Sequence, residues 1–96
     1  MPTALRYTRR VEKQLDELGL KDRGKHRKVM KALDQIKVDP SHPGLRSHEI
    51  ESYKAPDNGN VFESYAENNA PGAWRVFWHY GPDKGVIAIL AVVKHP

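Results

Sequence analysis

The feature that most constrains the fold is an unbroken run of eight apolar residues, Val86–Val93, near the end of the chain. The run is far shorter than the roughly 20 residues that cross a bilayer. A cluster of turn formers, Gly81–Gly85, stands directly before it. A strand over Val86–Lys94 would be apolar on both faces, so we expect it to lie inside a sheet or beneath a partner.

Alternating and β-prone stretches predict further strands around this central one. Strands are expected over Val61–Glu67 and Ala73–Tyr80, separated by a loop over Asn68–Gly72. Leu5–Tyr7 is a candidate first strand, and Leu45–Tyr53 is either irregular or a short edge strand. The last third of the chain is therefore predicted to form a small, mainly antiparallel sheet.

Two amphipathic helices precede this sheet. Thr8 is a candidate N-cap, followed by an apolar stripe, and Gly19 is expected to end the helix as a C-cap. A second helix is predicted from Asp22 or Arg23 to Asp39-Pro40, after a connection of three or four residues, with a first turn that frays or projects. The two stripes consist of Val11, Leu15, Leu18 and of Val29, Met30, Leu33, Ile36. The prediction is one α+β domain over residues 1–96, ordered β-α-α-β-β-β, with the helical hairpin packed on one sheet face.

Charge is distributed unevenly over the 96 residues, whose net charge is +4. Residues 1–54 hold 13 Lys/Arg against 8 Asp/Glu, a net of +5, while residues 55–96 hold 3 against 4, a net of −1. The excess concentrates on the start of the second helix, at Lys21, Arg23, Lys25, Arg27, Lys28 and Lys31. This cluster is either a solvated helix face or a surface for the backbone of a nucleic acid.

Several classes of function find no support in the residues. The chain has no cysteine, which excludes disulfides and thiolate metal sites and favours a reducing compartment. The N-terminus shows no apolar signal core, so we expect a cytoplasmic protein without a membrane partner. The five histidines are scattered without metal-ligand spacing, so no metal and no cofactor are expected.

Alternation along the strands predicts which polar side chains share a face. If Trp74 and Trp78 face the helices, then Arg75 and His79 point to the opposite, open face. Glu63 and Tyr65 of the preceding strand would join them, about 5 Å away across the sheet. A carboxylate, a guanidinium and an imidazole so placed are suited to metal-independent RNA cleavage, in which the 2′-OH attacks the phosphate.

The role of each group stays open at this level. Arg75 either binds phosphate or forms a structural ion pair with Glu63 or Glu67. Proton transfer is assigned to histidines, with Glu63 as a possible base. The candidate histidines are His95, His79 and His48. Tyr65 and Tyr80 are either packing residues or platforms on which a base stacks.

Two segments, Gly72–Trp78 (GAWRVFW) and Val86–His95 (VIAILAVVKH), resemble the arginine-bearing strand and the terminal strand of the RelE/ParE superfamily of bacterial toxins. The resemblance implies an endoribonuclease that cleaves mRNA, on the ribosome or free, and is neutralised by a cognate antitoxin protein. It matches Arg75 to the family's phosphate-binding arginine and His95 to the C-terminal histidine of the YoeB- and HigB-like branches.

The same resemblance leaves two other functions open. The chain lacks the lysine pair of RelE itself, and ParE-like members of the superfamily inhibit DNA gyrase without a catalytic set. The alternatives are therefore a gyrase-inhibiting toxin and a non-catalytic nucleic-acid-binding domain. In the toxin readings, the resemblance implies a monomer when alone and a hetero-oligomer with the antitoxin.

Overall fold

Two helices cover one face of a five-stranded sheet in the computed structural model, which describes residues 4–67, 72–81 and 83–94. The elements in chain order are β1 Ala4–Tyr7, α1 Arg9–Lys21, α2 Arg23–Val38, a 3-10 turn Pro43–Leu45, β2 His48–Lys54, β3 Asn60–Tyr65, β4 Trp74–Tyr80 and β5 Val86–Lys94. The predicted α+β class and the helical hairpin are confirmed, and the segment of uncertain structure is the edge strand β2.

The sheet has the strand order β1-β5-β4-β3-β2. β1 runs parallel to β5 and the other neighbours are antiparallel. The doubly apolar β5 thus lies between two strands, as its composition predicts. Its register against β4 shifts where Trp78 pairs with Ile89 but Phe77 pairs with Ala91, so that Leu90 is the extra residue of a bulge.

The hydrophobic core lies between the helices and the sheet. Both predicted helical stripes enter it, and Trp78, with only 1% of its surface exposed, is its largest fully buried side chain. The buried members of the core are Val11, Leu15, Leu18, Val29, Ala32, Leu33, Ile36, Leu45, Val76, Trp78, Ile87, Ile89 and Val92. Among the described residues, no helix is long and apolar enough to cross a membrane.

The connection between the helices is shorter than predicted. Thr8 caps α1 by accepting a hydrogen bond from the Val11 amide, as expected, but the helix continues past Gly19 to Lys21. Asp22 alone joins the helices, because its amide donates to the Leu18 carbonyl while its carboxylate accepts from the Lys25 amide. The predicted C-cap at Gly19 is therefore wrong.

Gly19 serves helix packing instead. A Cβ atom at this position would lie 3.3 Å from a ring carbon of His26, on the neighbouring helix. The first turn of α2 also does not project, since the Lys25 ammonium is hydrogen-bonded to Glu67, just after β3. Both observations place the start of α2 against the body of the domain.

β3 begins one residue earlier and ends two residues earlier than predicted, and β4 begins one residue later. The ladder between them ends with the Ala66 amide donating to the Trp74 carbonyl. The Trp74 amide then donates to a side-chain oxygen of Glu67, at 3.1 Å, instead of to a backbone carbonyl. A side chain thus ends the regular pairing at this edge.

Candidate active site

Four of the predicted site residues meet on the sheet face that the helices leave uncovered. His48, the first residue of β2, is paired with Glu63 of β3, and Tyr65 of β3 is paired with Arg75 of β4. Paired residues of antiparallel strands point to the same face, so the four side chains form one group. We name His48, Glu63, Tyr65 and Arg75 the open-face cluster.

His48 and Glu63 bring an imidazole and a carboxylate into contact. The Nε2 atom of His48 lies 3.0 Å from a carboxylate oxygen of Glu63, and its Nδ1 atom lies 3.0 Å from the carbonyl oxygen of Arg46. Imidazoles and carboxylates are the side chains that most often act as general acids and bases. The pair therefore supplies groups that can transfer a proton on the open face.

Arg75 lies beneath this pair and is only 2% exposed. Its guanidinium carbon sits 3.8 Å from the centre of the Tyr65 ring, a cation–π contact. Its Nε atom is 3.8 Å from the second carboxylate oxygen of Glu63. The guanidinium is therefore oriented by its neighbours, and the Tyr65 ring closes it off from solvent.

His79 shares the face with Arg75 but not its surroundings. Four residues along a strand correspond to about 13 Å, so the two side chains are well separated. His79 is 4% exposed, and its Nδ1 atom lies 3.8 Å from the Asp57 carboxylate in the loop after β2. The structure thus does not bring His79 together with the open-face cluster.

Of the two further candidates, one lies elsewhere and the other is not described. Tyr80 is on the helix-facing side of the sheet, where it is 56% exposed and touches the ring edges of Phe62 and Trp78. His95 falls outside the described residues, so its role stays a prediction. Within the described residues, no three His, Asp or Glu side chains come together as a metal site.

The basic cluster of α2 divides into paired and solvent-facing members. Lys25 is hydrogen-bonded to Glu67, and Lys28 lies 3.6 Å from the same carboxylate. Burial would raise the pKa of Glu67, but the hydrogen bonds from Lys25 and from the Trp74 amide, with the two lysine charges, hold it below the ordinary value. At least Lys25 therefore has a structural partner, which the charge pattern does not reveal.

The other basic residues differ in position. Arg23 and Arg27 are exposed on α2. Lys31 and Lys28 line a cleft whose opposite wall includes Tyr65. Lys21 lines a different cleft, with Trp74 and Lys94, at the end of β5. Only one part of the predicted basic surface thus adjoins the open-face cluster.

A buried hydrogen-bond relay holds the cluster from the other side of the sheet, and the sequence analysis missed it. The indole N–H of Trp78 donates to Ser64 Oγ at 2.7 Å, and Ser64 Oγ lies 2.6 Å from Ser47 Oγ. Ser47 in turn donates to the Pro40 carbonyl at 2.9 Å. A serine inside an otherwise apolar strand face was the available signal.

Comparison with solved structures places this arrangement in a known fold. Over 98% of the chain and 96% of the other, it is similar to RelE in the RelE–RelB complex from Pyrococcus horikoshii, with a TM-score of 0.70 and 15% identity. The YoeB dimer from Staphylococcus aureus matches over the full length of both chains, with a TM-score of 0.70 and 11% identity. A variant of the E. coli toxin RelE matches 98% of the chain and 84% of its own, with a TM-score of 0.63 and 18% identity.

Similarity in sequence is much weaker than similarity in structure. No protein-family model matches the chain, and no curated protein matches it significantly. At identities of 11–18%, the shared architecture is what the solved structures establish. The chain has the fold of the RelE-like toxins.

Proposed function

We propose that this protein is the toxin of a type II toxin–antitoxin pair and that it cleaves mRNA, on the ribosome, without a metal ion. The observation that carries this proposal is the open-face cluster. It combines an imidazole and a carboxylate whose nearest atoms are 3.0 Å apart. It also places a guanidinium nitrogen 3.8 Å from the same carboxylate. Proton transfer and charge stabilisation are the two requirements of RNA transesterification.

In the proposed reaction the 2′-oxygen attacks the adjacent phosphorus and the 5′-oxygen leaves. The products are a 2′,3′-cyclic phosphate and a 5′-hydroxyl. One proton leaves the 2′-OH and another is added to the 5′-oxygen. The pair of His48 and Glu63 supplies one of these transfers, because an imidazole beside a carboxylate can act as a general acid or base. The other transfer falls to a second group, for which the sequence offers His95.

Arg75 stabilises the negative charge on the phosphorane only if it reaches the substrate. The Tyr65 ring covers its guanidinium, so phosphate contact requires that ring to turn away. Glu63 would then keep the Arg75 guanidinium in place while the outer edge of that guanidinium binds the phosphate.

The antitoxin is the partner that the fold suggests. RelE of Pyrococcus horikoshii and RelBE2 of Mycobacterium tuberculosis were each solved as toxin–antitoxin complexes. A chain of the same fold is proposed to bind a cognate antitoxin in the same cell compartment, which we take to be the cytoplasm. A small reading frame next to the gene for this chain would support that pairing.

One observation favours a second candidate function. At 2% exposure, Arg75 is positioned as a structural residue of the sheet would be. A toxin that acts by binding, such as an inhibitor of DNA gyrase, would not use the open-face cluster for chemistry. In that case the exposed basic residues of α2 would determine its effect.

The test is induced expression in a growing bacterium, followed by primer extension on abundant mRNAs. Glu63→Gln and His48→Gln each remove one acid–base group of the pair with little change in size. Glu49→Gln is the control, since Glu49 is an exposed neighbour on β2 and points to the opposite face. We expect new mRNA 5′ ends for the wild type and the control, and a loss of about 100-fold or more for the two site variants.

The outcomes separate the two functions. Growth arrest without new 5′ ends, unchanged in Glu63→Gln, would replace the nuclease by the binding toxin. Absence of arrest would remove both toxin functions. Circular dichroism of each purified variant shows whether a lost effect comes from a lost fold.

A further inference from the structure

A cleft of about 270 Å³ opens beside the open-face cluster, between α2, the 3-10 turn and the end of β3. One wall carries Lys28, Lys31 and Gln35 of α2, and the other carries Tyr65. The spacing of the three helical residues, i, i+3 and i+7, puts them on one face of α2. One face of α2 therefore forms one wall of the cleft, and the edge of the sheet forms the other.

The edge strand leaves this place open. β2 begins at His48, which is paired with Glu63, so Tyr65 lies beyond the end of β2. Tyr65 thus adjoins both sites, because its ring lies over Arg75 and the residue also lines the cleft. A ligand in the cleft would touch the residue that closes the proposed catalytic arginine.

The cleft presents positive charge and hydrogen-bond donors. No acidic residue lines it, and Lys31 takes part in none of the ion pairs found among the described residues. His42, also in the lining, accepts a hydrogen bond from the Gly44 amide on Nδ1 at 3.0 Å. A neutral His42 ring therefore carries its proton on Nε2, which makes that atom a further donor.

These groups together fit one ligand class. Ammonium groups bind phosphate, and a side-chain amide reads a base edge because it both donates and accepts. The volume lies near the lower limit of about 300 Å³ for small-ligand sites, which suits a single residue of a polymer.

We propose that the cleft binds one nucleotide of single-stranded RNA next to the scissile phosphate, with Lys31 on its phosphate and Gln35 on its base. The inference rests on the proposed function, since it assigns a further part of the same RNA substrate. Gln35 is then the residue that sets a base preference at one position of the cleaved sequence. Tyr65 connects that position to Arg75.

The test measures binding separately from cleavage. Short 2′-O-methyl oligonucleotides cannot be cut by 2′-OH attack, so fluorescence anisotropy reports their affinity alone. Lys31→Ala is compared with Lys13→Ala, which removes the same charge from an exposed position on α1. Salt titration should show that only Lys31→Ala lowers the slope of log affinity against log salt, by about 0.7, the value for one phosphate contact of a single strand.

Base recognition is tested with Gln35→Leu, which keeps the approximate size of the side chain and removes its hydrogen bonds. The wild type should bind oligomers of A, C, G and U with different affinities. Gln35→Leu should lower the affinity for the preferred base by about fivefold to tenfold, so that the four affinities become more nearly equal. Lys13→Ala should keep the ranking of the wild type. Thermal unfolding of all variants verifies that they are folded.

The results distinguish this inference from the proposed function. Equal salt slopes for Lys31→Ala and Lys13→Ala, or an unchanged base ranking in Gln35→Leu, would overturn the assignment of the cleft even if the protein cleaves RNA. The expected binding pattern would support nucleotide binding in the cleft even if natural RNA were left intact. That combination would refute the proposed cleavage but not the assignment of the cleft.

Discussion

Replacing Glu67 by glutamine tests how the start of α2 is held to the sheet. The side chain of Glu67 is only 9% exposed, accepts a hydrogen bond from Lys25 and accepts another from the Trp74 amide at 3.1 Å. Glutamine has nearly the same shape, and its amide oxygen can still accept from Trp74. The substitution therefore removes mainly the charge interaction with the two lysines.

The magnitude follows from the exposure of the partners. A hydrogen bond to a charged group contributes about 1.5–3 kcal/mol when it is sheltered, and an exposed ion pair less than about 1 kcal/mol. The side chains of Lys25 and Lys28 are 37% and 58% exposed, so water screens both. We expect Glu67→Gln to lower the free energy of unfolding by about 1 kcal/mol at neutral pH, which corresponds to roughly 4–8 °C in Tm.

The dependence on pH has a definite sign. The pKa of Glu67 is lowered in the folded protein from its ordinary value of 4.5, despite the opposing effect of burial. The folded state therefore binds this proton more weakly than the unfolded state, and the stabilisation is complete above the unfolded pKa. It is lost as the pH falls through the folded pKa, so the difference between wild type and variant should shrink below about pH 4.5.

Urea unfolding of both proteins at several pH values, from neutral to about pH 3, measures this difference. Glu51→Gln is the matched control, because Glu51 is exposed on β2 and loses the same charge. A stability difference that is as large at about pH 3 as at neutral pH would refute the reasoning, as would equal stability of wild type and Glu67→Gln at neutral pH.

Two further substitutions test the buried relay and the shared helix cap. Ser64→Ala leaves the buried indole N–H of Trp78 without its acceptor and should lower the free energy of unfolding in urea by about 2 kcal/mol. In a double-mutant cycle with Trp78→Phe, an interaction energy near zero between the two positions would contradict the relay. Asp22→Ala removes the N-cap of α2 and should cost about 1 kcal/mol by thermal unfolding, whereas Asp22→Asn should stay close to wild type, and equal losses in both variants would exclude capping as the cause.

Local patterns were sufficient for the elements and the core. The doubly apolar run predicts the interior strand β5, and the stripes of the two helices predict the face on which they pack. The boundary between the helices was not predictable in the same way. Gly19 is a common C-cap residue by propensity, but its use here is the close approach of His26, which depends on how two helices cross.

The site shows the same division between local and long-range information. Alternation places Glu63, Tyr65 and Arg75 on one face, and the structure confirms that they meet. Alternation does not give the register of β2, so nothing in the sequence specifies that His48 lies opposite Glu63. Alternation also identifies a face without saying what covers it, which is why the burial of Arg75 was not foreseen.

The basic cluster shows a limit of charge patterns. Lys25 reads as a solvated or nucleic-acid-binding residue because its helical neighbours are basic as well. Its partner, Glu67, is 42 positions away in the sequence, at the end of β3. Only the packing of α2 against the sheet brings the two together, so composition alone does not separate a structural lysine from a binding one.

The relay between Ser47 and Ser64 also determines the alignment of two strands. Ser47 precedes His48 and Ser64 follows Glu63, so a hydrogen bond on the core side and the contact of His48 with Glu63 on the open side lie across the same two strands. A slip of β2 by one residue would exchange the faces of its side chains, turning Ser47 to the open side and His48 to the core side.

Changes in loop length should therefore have unequal effects at the two ends of β2. The pairing of β2 with β3 already shifts between Ile50 and Lys54, near the turn over residues 55–59, so that end has room for an inserted residue. The segment between Pro40 and Ser47 is closed by the hydrogen bond from Ser47 to the Pro40 carbonyl, and Ser47 is in turn bonded to Ser64 of β3. Insertions there would misalign His48 and Glu63, while insertions in the turn would leave the pair in place.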